Sequence, residues 1–412
     1  MLRPLALLAL AAVLAACAEP SPSTSSPSAL DAAETPAIAL TAAGPVTAWV
    51  HADSASGETV LLVRAARAET PVTVARGGIS VHTQAGPRLA ILADGALGVA
   101  WVEEEAVEGR RFPASSVRLA RSDDGGTTWG AAVRASPDPG FPTGQTFHSL
   151  AVAPDGTILV AWLDGTARER FDRASATPPA HAGHATAPAR ADPTGEDHTA
   201  HAADAAPGTD LVVARSTDGG RTFEPPVTVA RGTCQCCRTA LAVAPDGTVY
   251  AVWRHIFDGD QRDMAVARSD DGGATFSPLT RVHRDGWALD GCPHAGPAAA
   301  VASDGALHVA WPTGADGTSG LWHAVSRDGG ASFAAPTPLA RGPLGQVRAA
   351  SGADGRVWLA WEEAAHARIG LVAAGTTDTL RVDGAAPDLA AGPSGWMLAW
   401  LDGRTLQTRA GS

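Results

Sequence analysis

The sequence contains no lysine and a single tyrosine, Tyr250, in 412 residues. Without Lys, every fixed positive side chain is Arg, and the 31 Arg are outnumbered by 43 Asp and Glu, for a formal net charge of −12. No basic tract interrupts this acidic balance, which argues against nucleic acid as a partner. Cysteine is scarce, with five residues, of which Cys17 stands apart near the start. Long apolar runs are missing too. The run from Leu5 to Leu14 is far too short to cross a bilayer as a stable helix, and no other stretch is longer in the required sense.

What the first residues do contain is an export pattern. Arg3 precedes the short apolar run, and Leu14-Ala15-Ala16-Cys17 follows it. That tetrapeptide looks like a lipobox, in which Cys17 is acylated and becomes the new N-terminus; the plainer reading is a secretory signal with a chance Cys. Residues 18–35 are rich in Pro, Ser, Ala and Thr and are expected to form a flexible tether. The expected organisation is therefore a signal at 1–17, a tether at 18–35 and a folded part at 36–412. Ala18, rather than Asp, follows the Cys, which favours the outer membrane of a bacterial envelope over the inner one.

The folded part repeats itself, and repeats decide an architecture before anything else does. An alternating apolar run, a turn often written Asp-Gly, and a strand ending in Trp recur seven times, closing on Trp49, Trp101, Trp162, Trp253, Trp311, Trp361 and Trp400. A second phrase follows four of them: Ser122 to Trp129, Ser216 to Phe223, Ser269 to Phe276 and Ser326 to Phe333. It resembles the Asp box, Ser-x-Asp-x-Gly-x-Thr-Trp/Phe, of sialidases and their relatives. Asp124, Asp218, Asp271 and Asp328 would cap backbone N–H groups of a tight turn, so they read as fasteners rather than catalysts. Each unit supplies four strands, which predicts an all-β propeller of four-stranded blades. Seven blades are counted, with six and a decorated edge as the alternative. The last unit has room for three strands, and a strand near residues 29–35 is expected to complete it.

Strand direction sorts the loops. The Asp-Gly turns and Asp boxes share one face; the links between units share the other and lead into the innermost strands. All four remaining cysteines fall in those links. Cys234, Cys236 and Cys237 precede the fourth unit, and Cys292, with His294, precedes the fifth. His148 begins the inner strand of the third unit, and His82 lies upstream of the second. One reading is a thiolate–imidazole site for a soft metal, copper favoured over zinc. Another is a pair of disulfides bracing the loops, which an exported protein permits. A reactive thiol is the third. The unit containing Trp162 also carries an insertion at about 170–208 with His181, His184, His198 and His201, a composition that often binds metal loosely.

The resemblance to sialidases implies a Tyr nucleophile paired with Glu, an acid/base Asp and three Arg gripping a carboxylate. Here the early Arg-Ile-Pro motif is absent, and Tyr250 lies down a strand where it reads as packing. Arg88, Arg238 and Arg348 do enter inner strands and are candidates for binding an anion; bridging carbonyls and acidic neighbours is their structural alternative. The expected function is metal binding at the mouth of a lipid-anchored, monomeric propeller engaged in envelope metal handling. An exo-glycosidase of sialidase type and a disulfide-braced interaction scaffold are the alternatives.

Overall fold

The computed structural model describes residues 33–53, 56–176, 208–393 and 395–412. Cys17 and the histidines of the insertion, His181, His184, His198 and His201, lie outside them. The described chain is almost entirely antiparallel strand, with one α-helix, Thr166–Ala176. No helix among the described residues is long and apolar enough to cross a membrane.

Strands follow one another in meandering units over residues 33–77, 88–134, 145–233, 240–281, 298–341, 347–383 and 385–411. The first six units have four strands each and the seventh has three. The third and fourth are joined at a single pair, Thr233 opposite His255. The first strand of each unit packs beside the first strand of the next. That of the seventh, Ala385–Gly392, returns beside that of the first, Ala33–Thr41, where the Ile38 N–H donates to Asp388 Oδ2 at 2.9 Å.

Packing between units uses the repeated aromatics. Trp49, Trp101, Trp162, Trp253, Trp311 and Trp361 are buried, while Trp400 in the three-stranded unit is only half-buried. Burying each indole against a neighbouring sheet contributes roughly 4–6 kcal/mol before entropy is counted. The period-two alternation of these strands thus feeds one core layer between each pair of units.

The recurring Asp-Gly is a three-residue hairpin. In the third unit Gly156 N–H donates to Ala153 O and Ala153 N–H to Thr157 O, both at 2.9 Å, with Gly156 at φ +93°. Pro154 and Asp155 form the type I turn and Gly156 the left-handed bulge residue that a side chain would strain. In the Asp boxes, Asp124 Oδ1 accepts from Thr128 N–H at 2.8 Å and Oδ2 from the Thr128 hydroxyl at 2.6 Å. Hydrogen bonds with Thr128 and Ser122 hold the Asp124 carboxyl down to about 2. Asp271 and Asp328 are held alike, and Asp218 lower still. The box aromatics Trp129, Phe223, Phe276 and Phe333 each pack into the core shared with the preceding unit. Gly273, at φ +85°, leaves no room for a Cβ, which would stand 2.4 Å from Leu159 of that preceding unit. The boxes are fasteners, as their local chemistry predicts.

Two boundaries differ from expectation. Ala33–Thr35 belong to the inner strand of the first unit, with Ala33 opposite His51, rather than to the tether. They do not complete the seventh unit either; they touch it through Ala33 N–H donating to Arg404 O at 2.9 Å and through the Arg404–Glu34 ion pair, also at 2.9 Å. The remaining residues of that expected strand, 29–32, lie outside the described residues.

Candidate metal centre

The link from the third to the fourth unit ends its strand at Thr233 and turns back over the fourth unit, where Cys234 N–H donates to Arg254 O at 3.0 Å. Cys234, Cys236 and Cys237 are all buried there, against Ile256. Cys234 Sγ lies 3.7 Å from the Sγ atoms of both Cys236 and Cys237. That is far beyond the roughly 2.05 Å of a disulfide, and Cys234, Cys236, Cys237 and Cys292 are all free thiols. The three buried Sγ atoms lie within 4.8 Å of one another. A second set, Cys236 Sγ, Cys292 Sγ and a ring nitrogen of His294, meets the same limit, with Cys292 and His294 exposed.

Two arginines fasten the links that carry these side chains. Arg254 is buried and donates to Ala295 O through Nε at 3.1 Å and Nη2 at 2.7 Å, to Arg262 O through Nη1 at 2.6 Å, and to Pro312 O through Nη2 at 2.6 Å. Its guanidinium also lies 4.8 Å from the ring centroid of Trp287. Arg262 donates through Nε to Leu289 O at 2.7 Å and through Nη1 to Cys234 Sγ at 3.4 Å. Ala295 N–H reaches Cys237 Sγ at 3.4 Å. Gly296 lets the second link touch the first, since a Cβ there would stand 2.4 Å from Arg238 O. His294 has φ +47°, a left-handed conformation that costs energy in a non-glycine residue.

The electrostatics of the thiols are mutual. Hydrogen bonding with Cys236 and then Cys237 pulls the Cys234 thiol far down, assisted by Arg254. The contact with Cys234, then that with Cys237, drives Cys236 far up, and burial, then Cys234, drives Cys237 up. The three thiols therefore oppose one another's ionisation, Cys234 being favoured over Cys236 and Cys237. The cluster takes a second and third negative charge only when a cation replaces the protons.

Of the three candidate arginines, Arg238 and Arg348 share an acceptor and the Arg348 charge acts on Arg88, and their hydrogen bonds go mainly to the protein itself. Arg238 Nη1 and Arg348 Nη1 both donate to Gln346 Oε1, at 2.7 and 2.9 Å. Arg238 Nη2 also reaches Pro297 O at 2.8 Å and Val347 O at 2.6 Å. Arg348 pairs with Asp388 at 2.8 Å. Arg88 donates to Pro87 O at 2.9 Å and keeps Nη2 buried without a partner. Burial, then the Arg348 charge, lowers Arg88 to about 9. Two of the three guanidinium groups are thus committed to carbonyls and an acid.

No family profile and no curated protein sequence matches the chain. Among solved structures it is similar to a protein of unknown function from Dyadobacter fermentans, at 17% identity and TM-score 0.52, over 77% of this chain and 89% of that one. It is similar to a Hadza microbial sialidase at 16% identity and TM-score 0.52, over 89% and 77%. An ulvan lyase of a polysaccharide lyase family aligns at 10% identity and TM-score 0.50, over 93% and 92%. The fold is that of a sialidase-type β-propeller.

Within this propeller Tyr250 is buried among Val266, Leu307 and Val309, in the core shared by the fourth and fifth units. Burial raises its phenol above the usual range. Glu103 is paired with Arg118 at 2.7 Å and Glu363 with Arg368 at 3.2 Å, so these acids are surface ion pairs.

His148 departs from its expected role. It joins neither ligand set among the described residues, and it is fully buried within reach of the Arg88 charge. Neither ring nitrogen completes a hydrogen bond, and the Ala100 backbone compensates only in part. Burial, then the Arg88 charge, drives His148 down to about 3. It is therefore neutral when folded and protonates near its ordinary 6.5 when unfolded. Stability is complete above that ordinary value and falls as pH drops toward the folded value, by about 1.4 kcal/mol per pH unit. Urea midpoints measured from pH 7 to pH 5 should fall more steeply in the native protein than in His148→Leu, which keeps the dependence contributed by other lowered histidines such as His323. Equal slopes in both would mean His148 is not the group responsible.

His82 was the histidine that chain position undervalued. Its ring stands 5.2 Å from that of His294, centroid to centroid, although it comes from a link three units earlier. Its Nδ1 accepts from Gln84 N–H at 3.1 Å, leaving Nε2 as its other ring nitrogen. Burial, then His294, lowers its pKa, which favours the neutral, ligating form.

Proposed function

We propose that this chain is a lipid-anchored, seven-bladed propeller whose mouth binds a soft metal ion, copper in preference to zinc, and that it does not hydrolyse sialosides. The observation that carries the proposal is the set of three buried Sγ atoms within 4.8 Å of one another. Metal–thiolate bonds are about 2.3 Å long, so one ion spans such a set. Three thiolates and an imidazole select Cu(I) or Zn(II); Cys234 and Cys237 stand at Cys-x-x-Cys spacing, but Cys292 has no such partner to form the second knuckle of an ordinary zinc ribbon. The anchor is acylated Cys17, the expected site is the bacterial envelope with the outer membrane favoured, and the molecule acts as a monomer that delivers metal to an envelope partner. The insertion histidines would act as a loose collecting arm.

The test is elemental analysis of anaerobically purified protein together with a count of alkylatable thiols. Bound copper with all four thiols of Cys234, Cys236, Cys237 and Cys292 protected until a chelator is added supports the reading. Native protein with no free thiols, no metal after gentle reduction and two mapped disulfides would turn the choice to a braced scaffold. The glycosidase alternative fails or survives on a fluorogenic sialoside. No release is expected, because Tyr250 has its ring in the inter-unit core; turnover abolished by Tyr250→Phe would revive it.

A further inference from the structure

The two ligand sets share one atom. Cys236 Sγ belongs both to the buried set with Cys234 and Cys237 and to the exposed set with Cys292 and His294, and it is the one residue common to them. Each set fits around one ion, since two metal–sulfur bonds of about 2.3 Å span roughly 4.6 Å. The five residues do not form one group with all ligand atoms within 4.8 Å of one another, so the geometry divides them into two trigonal sets joined at a corner. A thiolate has lone pairs enough to bridge two soft ions.

We infer that the mouth holds two soft ions bridged by the Cys236 thiolate: an inner one closed by Cys234 and Cys237, and an outer one held by Cys292 and His294. This rests on the metal-binding reading above and deepens it. Three-coordinate sulfur-rich sets suit Cu(I), whereas structural Zn(II) sites are almost always four-coordinate. The inner ion sits under Arg262 and the Ala295 N–H, both directed at sulfur, which offset the surplus charge of three thiolates. The outer ion is exposed, with His82 beside His294 as a further imidazole. Such a pair has a clear division of labour: the outer position exchanges with solvent or a partner, and the inner one retains.

The experiment is an anaerobic titration of the metal-free full chain with Cu(I) against a chromophoric Cu(I) chelator strong enough to strip loosely held ions. Two equivalents are expected, with a copper–copper vector in the X-ray absorption spectrum. Cys292→Ala and His294→Gly should each leave one equivalent and remove that vector. Both residues are exposed, and Gly relieves the positive φ at position 294, so these variants are expected to fold. Cys234→Ala serves as the reciprocal probe and should also leave one equivalent. One equivalent in the native protein, unchanged by Cys292→Ala, overturns the bridged pair and leaves the single-ion reading standing. One equivalent lost in Cys292→Ala also overturns it, by assigning the sole ion to the outer set. No retained copper in the native protein overturns both readings.

Discussion

Replacing Cys236 by serine should weaken retained copper binding by well over 100-fold while leaving the propeller folded. Removing an outer hydrogen-bond partner of a ligand already costs about 10–100-fold, and loss of the ligand itself exceeds that. Cys236 is the most damaging single choice because both ligand sets run through it. Its buried neighbours sharpen the effect. Cys234 Sγ stands 3.7 Å from Cys236 Sγ, so a serine hydroxyl of smaller size can still face it and the link keeps its packing. Chelator competition and circular dichroism on the same sample separate binding from folding. Asp124→Ala, in a box of the second unit on the opposite face, is the control and should leave affinity unchanged. Unaltered affinity in Cys236→Ser would remove the cluster from consideration as the tight site. Lost affinity with a collapsed spectrum would mean instead that Cys236 is a packing residue.

The sequence made the framework legible because its codes are local. Each Asp box closes its own turn within seven residues, as the Asp124 to Thr128 bonds do, and each strand alternates on its own account. Placing the thiols in links between units also followed from strand direction, and the two links carrying Cys234 and Cys292 do meet. What could not be read was which polar side chains work through backbone carbonyls. Arg254 stands directly after the repeated Trp253, and its partners are Ala295, Arg262 and Pro312 carbonyls, which every residue type offers alike. The same blindness explains Arg238 and Arg348, whose spacing suggested an anion and whose hydrogen bonds go to Gln346, Val347 and Asp388. His148 failed for another reason. It is the fourth residue of the strand Gln145–Val152 rather than its first, opposite an irregularity in the pairing register, and chain position does not reveal the direction in which an imidazole points. His82 was missed as a partner of His294 because only closure of the fold brings those links together.

Arg254→Met should lower stability on the order of 3–5 kcal/mol, the largest loss expected from any single polar substitution at the mouth. The methionine fills much of the volume but donates nothing. Three carbonyls from different segments then lose a donor: buried Ala295 in the link before the fifth unit, part-buried Arg262 across the hairpin, and buried Pro312 in a strand of the fifth unit. Each orphaned acceptor costs about 1–3 kcal/mol, and relief from burying the guanidinium returns part of it. Arg254→Lys should fall between, because one ammonium cannot reproduce a planar fork spread over three acceptors. Arg231→Met is the control: its side chain is 76% exposed in an ion pair with Asp210, so the change should stay within about 0.5 kcal/mol. Urea unfolding of the metal-free proteins gives these differences directly. Repeating it with Cu(I) then asks whether the two links still meet, since a ligand that binds only the folded form restores stability in proportion to its affinity. Partial rescue by copper in Arg254→Met, absent in the double variant with Cys236→Ser, is the outcome expected if Arg254 fastens the links and the thiols bind the metal. A native-like midpoint in Arg254→Met would show that the four guanidinium bonds do not hold the mouth together.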